Sequence, residues 1–206
     1  MTSATDGTAA IKGDGLTMDN QHEVIVRAAK PADLSALCAL FIEFHDFNLC
    51  GVPDRLARSD SLGGFDCVRL EANLRHLINT HGCNILVAES GGVLLGLAEI
   101  YIRQTSEGTA VAQRIYGHLQ SLIVTEAARG CGVGQRLLRA VEAWADARGA
   151  SELQIDCWEF AAGPLGFYER EGYRTLTRTL VRALTSDQRA VGKPEFAESH
   201  VVCQPK

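Results

Sequence analysis

The chain has 206 residues, which is enough for one domain with a sizeable hydrophobic core. Apolar residues make up 46% and charged residues 22%, the ordinary balance of a globular domain. The formal net charge is −5 without any basic block, which argues against nucleic acid as the main partner. No apolar run approaches membrane-span length and no signal peptide is recognisable, so we expect a cytoplasmic protein without a membrane partner.

Seven cysteines are scattered along the chain without any C-x-x-C pair. A zinc site or a disulfide framework needs closer and more regular spacing. We therefore expect reduced thiols and no metal cofactor.

The first part of the chain predicts one strand and two helices. Residues 1–22 are rich in Thr, Gly, Ala and Asp, and we expect them to be disordered. A first strand is predicted at Val24–Val26. Pro31 begins a helix with apolar residues at helical spacing, and a second helix is predicted over Cys67–Thr80. Gly, Pro, Ser and Asp between them predict a loop over Cys50–Gly64.

Three strands follow in succession. The apolar runs Ile85–Glu89 and Val93–Ile102 are separated by Gly91 and Gly92, which predicts a hairpin. Tyr116–Val124 is predicted as the next strand. Consecutive strands of this kind pair antiparallel.

The last part alternates helices and strands. An amphipathic helix is predicted over Gln135–Arg148 and a strand over Leu153–Cys157. A short helix is predicted over Pro164–Glu171, and a final strand over Tyr173–Leu184. Helical crossovers between strands imply parallel pairing.

These elements predict a single α/β domain over residues 23–184, with a mixed and mostly antiparallel central sheet flanked by helices. The polar tail, residues 185–206, is expected to be disordered or to cover a neighbour.

The most informative stretch is the glycine-rich run from Arg129 to Gly134, between a predicted strand and a predicted helix. This arrangement presents unpaired backbone N–H groups to a phosphate. The absence of a Lys after the glycines argues against a nucleotide-triphosphate loop. The pattern R-x-x-G-x-G is matched by Arg129, Gly132 and Gly134. A tight turn without a ligand is the structural alternative.

A dinucleotide loop, G-x-G-x-x-G, is a weaker alternative. Gly130 and Gly132 fit it, but Gln135 stands where the third glycine belongs. Glu152 lies at a plausible spacing for the acid that binds the ribose, so this alternative stays open.

Two blocks flank and follow the loop. The first runs from Leu119-Gln-Ser-Leu-Ile-Val-Thr through Arg129-Gly-Cys-Gly-Val-Gly-Gln-Arg-Leu-Leu, and the second is Phe167-Tyr-Glu-Arg-Glu-Gly-Tyr. On these motifs the chain resembles the GNAT superfamily of acyl-CoA N-acyltransferases, from Val24 to Leu184. The second block looks like the family's F-Y-E-x-x-G-F segment, and the order of elements is also that of the family.

The resemblance implies acetyl-CoA as co-substrate. In the family, the pyrophosphate rests on the loop amides at a helix N-terminus, where glycines allow close approach and the helix dipole favours negative charge. The pantetheine arm pairs with the preceding strand, and a backbone N–H of that strand holds the oxyanion. Arg129 would add charge to the phosphates, or else be a solvated surface residue. The implied cofactor-binding residues are Leu122, Ile123, Val124, Arg129, Gly130, Cys131, Gly132, Val133, Gly134 and Gln135.

The resemblance also implies catalytic residues. Tyr168 matches the tyrosine that serves the leaving thiolate as general acid, and a core aromatic is its structural alternative. Members that acetylate protein N-termini carry a carboxylate, an Asn and this tyrosine at fixed spacing, which places Asp156 as the base. Here Ala161 stands at the Asn position and Pro164 stands where the family usually has Ala. Both departures make the order of the loop after Trp158 uncertain.

Further polar residues are candidates for the substrate cleft. These are Glu99, Gln120 and Glu159, together with the run Phe44-His45-Asp46-Phe47. A structural role is the alternative for the histidine beside an acid.

The sequence thus predicts an N-acetyltransferase that moves an acetyl group from acetyl-CoA to a primary amine of a small molecule or peptide. A non-catalytic acyl-CoA-binding regulatory domain is the alternative, motivated by Ala161. A dinucleotide-binding module is the third. A homodimer is common in the family.

Overall fold

The computed structural model describes residues 23–57, 66–105 and 112–182. The predictions made for residues 1–22 and 185–206 lie outside these ranges. So does part of the predicted loop after the first helix, residues 58–64.

Within these ranges, five strands form one sheet in the order β1-β2-β3-β4-β5. Neighbouring strands pair antiparallel from β1 to β4, and β5 pairs parallel with β4. This confirms the predicted mixed, mostly antiparallel sheet. The strands are β1 (Ile25–Ala28), β2 (Cys83–Ser90), β3 (Val93–Gln104), β4 (Ile115–Val124) and β5 (Leu153–Ile155).

Four α-helices of the described residues accompany the sheet, each near its predicted place. They are α1 (Leu34–Gly51), α2 (Cys67–Ile78), α3 (Val133–Asp146) and α4 (Leu165–Arg170). Pro31–Asp33 forms a 3-10 turn before α1, and Glu126–Ala128 forms another after β4. Helix α1 continues to Gly51, so the predicted loop begins slightly later than expected.

The sheet lies between two apolar layers because its strands alternate their side chains between the two faces. On one face, α1 and α2 pack against the sheet. That core contains Leu34, Leu37, Leu40, Leu74, Ile85, Val87, Leu97 and Ile123. On the other face, α3 packs against the sheet. That core contains Leu86, Ala88, Ala98, Ile100, Leu119, Val133, Leu137, Leu138 and Val141.

The helical stretch Pro31–Gly51 is long and apolar enough to cross a membrane by length and composition alone, with a mean hydropathy of 1.2. This differs from the expectation that no apolar run in the sequence approaches the length of a membrane span. Its apolar residues have a place in the fold, since Leu34, Leu37 and Leu40 are buried against the sheet. A core helix passes the same test of length and composition.

The predicted final strand, Tyr173–Leu184, is wrong over its described part. Residues 173–182 form no strand, and Leu176, Leu180 and Val181 are exposed. A strand is stable only when a partner strand packs and pairs with it, and no described strand pairs with these residues. Strand β5 is also shorter than predicted and ends at Ile155.

Candidate active site

Strands β4 and β5 separate partway along the sheet. They pair only where Gly117–Leu119 faces Leu153–Ile155. Beyond that point β4 continues to Val124 and stays paired with β3 on its other side. Within the described ranges, no strand pairs with the β5 side of β4 over residues 120–124. An open strand edge of this kind can pair with an extended, amide-containing chain. The residues predicted to hold the pantetheine, Leu122 to Val124, lie on this edge.

The glycine loop follows the end of that edge. Gly130 and Gly132 have φ values of +77° and +79°, which residues other than glycine rarely adopt. Helix α3 then begins at Val133 without a side-chain cap. In the part of the chain that is described, the N–H groups of Gly132, Val133, Gly134 and Gln135 have no hydrogen-bond acceptor. They form a positive helix end suited to a phosphate.

One loop amide that was predicted to bind the pyrophosphate, that of Cys131, already has a hydrogen-bond acceptor. The Cys131 N–H points to the carbonyl oxygen of Ala128 at 3.4 Å, so this amide is less available than its neighbours. The Gln135 side chain donates to Glu171 Oε1 at 2.7 Å, which joins the start of α3 to the end of α4. A Cβ on Gly134 would lie 3.4 Å from the Phe167 ring, so the loop and α4 are close neighbours.

Arg129 is turned toward α1 rather than into the loop. Its Nε donates to the Val124 carbonyl at 3.2 Å, and a terminal nitrogen lies 3.4 Å from Glu43 Oε1. The guanidinium also lies over the Phe47 ring, 4.8 Å from its centroid. Glu43 accepts from the Glu126 N–H as well, at 2.8 Å. Arg129 thus connects α1 with the end of β4.

These contacts predict a small effect of Arg129 on cofactor affinity. An Arg129→Met variant is expected to bind acetyl-CoA within about threefold of the wild type, because the guanidinium already has a carbonyl and a carboxylate partner. Isothermal titration with acetyl-CoA measures this. A loss of about tenfold or more would instead show that Arg129 moves onto the phosphates in the complex.

Tyr168 is a buried tyrosine on α4. It is 7% exposed, and its ring meets the rings of Phe167 and Tyr173 edge-on at 5.3 and 5.9 Å. Burial raises the pKa of Tyr168, and the nearby Cys157 adds to the rise. Its hydroxyl makes no hydrogen bond to another described residue. The phenol is therefore held protonated, with its hydroxyl available to a ligand.

Asp156 directly follows β5, at the point where the two strands separate. Its side chain is 94% exposed, and Oδ2 lies 3.9 Å from Nε2 of His118 on β4. The same His118 nitrogen lies 3.3 Å from Gln120 Oε1. His118 was not among the predicted site residues. Its position on β4, two residues before Gln120, was the available signal.

The loop after Trp158 is ordered by Phe160. Its ring packs on Phe47 of α1 with centroids 5.6 Å apart, and α1 ends directly against it at Gly51. Ala161, at the family's Asn position, is exposed. The apolar contact between this loop and α1 therefore orders the segment that the missing Asn left uncertain.

The remaining cleft candidates divide into buried and exposed residues. Glu99 is 8% exposed and accepts hydrogen bonds from Tyr101 and Ser121. Glu159 and Gln120 are exposed. In the run from residue 44 to 47, Phe44 packs against the core beneath α1, and a ring nitrogen of His45 lies 2.8 Å from the Ala57 carbonyl.

The dinucleotide alternative is not supported by the fold. The sheet of this protein is mostly antiparallel, whereas dinucleotide-binding domains have a parallel, doubly wound sheet. Glu152, considered for the ribose, forms an ion pair with Arg114 at 3.1 Å and accepts from Gln154 at 2.7 Å. These partners lower the pKa of Glu152, with the Gln154 hydrogen bond the largest cause.

An open strand edge, unpaired amides at a helix start and a buried tyrosine lie where the resemblance to the GNAT superfamily predicts a CoA site. The sequence model of the acetyltransferase (GNAT) family matches residues 55–173, more than half of the chain. The protein belongs to the GNAT acetyltransferase family and is an acyltransferase of its acetyl-CoA-dependent type.

Individual relatives agree with this assignment. The uncharacterized N-acetyltransferase YhfO of Bacillus subtilis (strain 168) is 30% identical over 148 residues, which cover 72% of this chain and 88% of that protein. Among solved structures, a mutant of the BH1408 protein from Bacillus halodurans superposes with a TM-score of 0.68 at 21% identity, over 78% of this chain and 99% of that one. The aminoglycoside N-acetyltransferase AAC(6')-Iy in complex with CoA gives 0.56 at 16% identity, with the same coverage. At these identities the two structures show the fold alone.

Proposed function

We propose that the protein transfers an acetyl group from acetyl-CoA to a primary amine of a small molecule or a peptide. The observation that supports this most is the open β4 edge, which ends at Val124 shortly before the unpaired amides of Gly132 to Gln135. An extended pantetheine can pair along the edge while the pyrophosphate rests on the helix start.

The reaction needs three catalytic contributions from the protein. A backbone N–H on Leu122 to Val124 holds the oxyanion as the amine nitrogen bonds to the thioester carbon. Asp156, directly or through water, receives the proton that the amine loses. The hydroxyl of Tyr168 gives its proton to sulfur as the carbon–sulfur bond breaks. The products are an N-acetylated amine and free CoA, and the amine's proton restores the phenol.

A direct product assay tests the proposal. The protein is incubated with acetyl-CoA and a panel of diamines, amino acids, short peptides and aminoglycosides, and acetylated products are measured by mass spectrometry. Thiol reagents are unsuitable as the only readout because Cys50, Cys131 and Cys157 are exposed and would react. Acetylation of at least one amine, absent without protein, is the expected result.

The second candidate is a non-catalytic acyl-CoA-binding domain, and Ala161 at the family's Asn position favours it. Tight binding of acetyl-CoA with no acetylated product across the panel would support this alternative over the enzyme. A homodimeric assembly and a cytoplasmic location stay predictions, which sedimentation and fractionation would test.

A further inference from the structure

Glu99 is an unusual residue for the interior of this sheet. Among the described residues it is the one charged side chain that is buried, at 8% exposure. Its two oxygens accept hydrogen bonds from the Tyr101 hydroxyl at 2.5 Å and from Ser121 Oγ at 3.2 Å. Within the described ranges no Lys, Arg or His lies within ion-pair distance of it. Arg103 instead stacks on the Tyr101 ring at 4.8 Å.

A carboxylate in this position is costly for the fold. Burying a carboxylate without a cation is unfavourable, and two hydroxyl donors offset this only in part. An amide or an apolar side chain would fill the same space at lower cost. A carboxylate kept in such surroundings is a candidate to bind a cationic ligand when a binding site lies beside it.

Such a site does lie beside it. Glu99 is opposite Ser121 where the β3–β4 register is irregular, and the hydrogen bond between them places the carboxylate over β4. Ser121 directly precedes Leu122 on the open edge. Adjacent strands are about 4.8 Å apart, so the carboxylate lies roughly one strand spacing from the edge.

The face of the sheet that carries Glu99 and Ser121 also carries other polar side chains of the candidate active site. His118 is directly opposite Tyr101, so the two side chains form the row next to Glu99 and Ser121. His118 in turn lies near Asp156 at the point where β4 and β5 separate. An amine acetylated at the edge therefore has Asp156 on one side and Glu99 on the other.

We propose that Glu99 binds a second positive charge on the acceptor, so that the preferred acceptors are diamines and polyamines. The reacting amine lies at the open edge and the second ammonium at Glu99, a separation of about 5–8 Å given the spacing of strands. This inference rests on the proposed function, since it identifies the acceptor of that reaction.

The test compares matched diamines and monoamines. Steady-state rates are measured with α,ω-diaminoalkanes of three to six carbons and with 1-aminoalkanes of the same lengths. In the wild type, kcat/KM for the best diamine is expected to exceed that of its monoamine by about tenfold or more, as for a buried charge pair. In Glu99→Gln, which keeps the shape but removes the charge, the ratio falls to about one. Glu71→Gln, on the exposed surface of α2, makes the same change in net charge and keeps the preference.

Binding is measured separately from turnover. Calorimetric titration of 1,4-diaminobutane into protein saturated with CoA is expected to show binding in the wild type and in Glu71→Gln, and none in Glu99→Gln. That result supports the inference even if no amine is acetylated, in which case only the proposed function fails. Acetylation of monoamines and diamines with equal efficiency overturns the inference and leaves the proposed function standing. Absence of diamine binding in the wild type overturns it as well.

Thermal unfolding separates a binding role from a structural one. Glu99→Gln is expected to melt no lower than the wild type, because the substitution removes the cost of a buried charge. Added 1,4-diaminobutane is expected to raise the melting temperature of the wild type and of Glu71→Gln, but not that of Glu99→Gln. A variant that melts several degrees lower without ligand would show that Glu99 serves the fold, and the inference would be wrong.

Discussion

Replacing Tyr168 with phenylalanine is expected to lower kcat by about a hundredfold or more, the usual contribution of a positioned general acid. The ring stays in place because it packs between Phe167 and Tyr173, so the variant loses only the hydroxyl. Affinity for acetyl-CoA is expected to stay unchanged, since the loop amides and the β4 edge are untouched. Product formation by mass spectrometry and calorimetric titration with acetyl-CoA measure the two quantities.

The pH dependence of this loss can be worked out from the surroundings of Tyr168. Burial, and then the nearby Cys157, raise the pKa of Tyr168 above the ordinary value for a tyrosine. The donating form is the protonated one, and a raised pKa keeps it populated well into alkaline solution. The deficit of the Tyr168→Phe variant is therefore expected to be the same from roughly pH 6 to pH 9.

Tyr173→Phe is the matched control. Tyr173 is a half-buried tyrosine in contact with Tyr168, but its hydroxyl donates to Glu142 on α3 at 2.9 Å. Losing that hydrogen bond is expected to cost about 1 kcal/mol of stability and little activity. If Tyr168→Phe were as active as this control, the general-acid role would be wrong, and another group would protonate the thiolate.

The long elements of this fold could be predicted from the sequence because their apolar residues recur with a clear period. Helix α3 buries Leu137, Leu138 and Val141 on one face, and the observed helix lies within two residues of the prediction at each end. The glycine loop was recognisable because a tight turn between a strand and a helix requires backbone conformations that glycine adopts easily. Gly130 and Gly132 meet them with positive φ values.

Features that depend on distant contacts could not be predicted in the same way. A strand was predicted over Tyr173–Leu184, but a strand also needs a partner, which no local pattern reveals. Glu99 and Ser121 meet only through the pairing of β3 with β4, whose register shifts just beyond Glu99. His118 and Asp156 come together through a parallel pairing across the whole of α3. Sequence spacing contains none of these distances.

The contact between Gly51 and Phe160 gives the second large prediction. A Cβ on Gly51 would lie 2.6 Å from two ring carbons of Phe160, well inside contact distance. The ring has little room to retreat because Phe47 packs against it and a Cβ on Gly163 would be only 3.2 Å away. Gly51→Ala is therefore expected to destabilise the protein by about 1–3 kcal/mol, as overpacking does. Urea unfolding measures the change.

Whether Gly51→Ala destabilises or stabilises the protein shows whether Phe160 lies against α1. Gly51 is the last residue of α1 and is not among the glycines with positive φ. Without the clash, alanine would be favoured at a helical position by up to about 1 kcal/mol. A stabilised Gly51→Ala variant would thus show that Phe160 does not lie against α1 in solution.

Gly51→Ala is also expected to change activity, through the acceptor KM and not through the affinity for acetyl-CoA. Phe160 orders the loop that follows Asp156, and α1 borders the face of the sheet where the acceptor is proposed to bind. Displacing the Phe160 ring is therefore expected to disturb acceptor binding. The acceptor KM is expected to rise by about tenfold in Gly51→Ala, an effect of misplacement rather than of lost chemistry. The affinity for acetyl-CoA should hold, because the glycine loop does not touch this contact.

A double-mutant cycle with Phe160→Ala tests whether one contact explains both effects. Removing the ring clears the space, so Gly51→Ala in the Phe160→Ala background is expected to be neutral or stabilising. The coupling free energy between the two positions should then be about 1–3 kcal/mol, in the range of directly contacting residues. If the two changes were additive instead, the destabilisation would arise at the end of α1 itself, and the ordering of the Asp156 loop would need another cause.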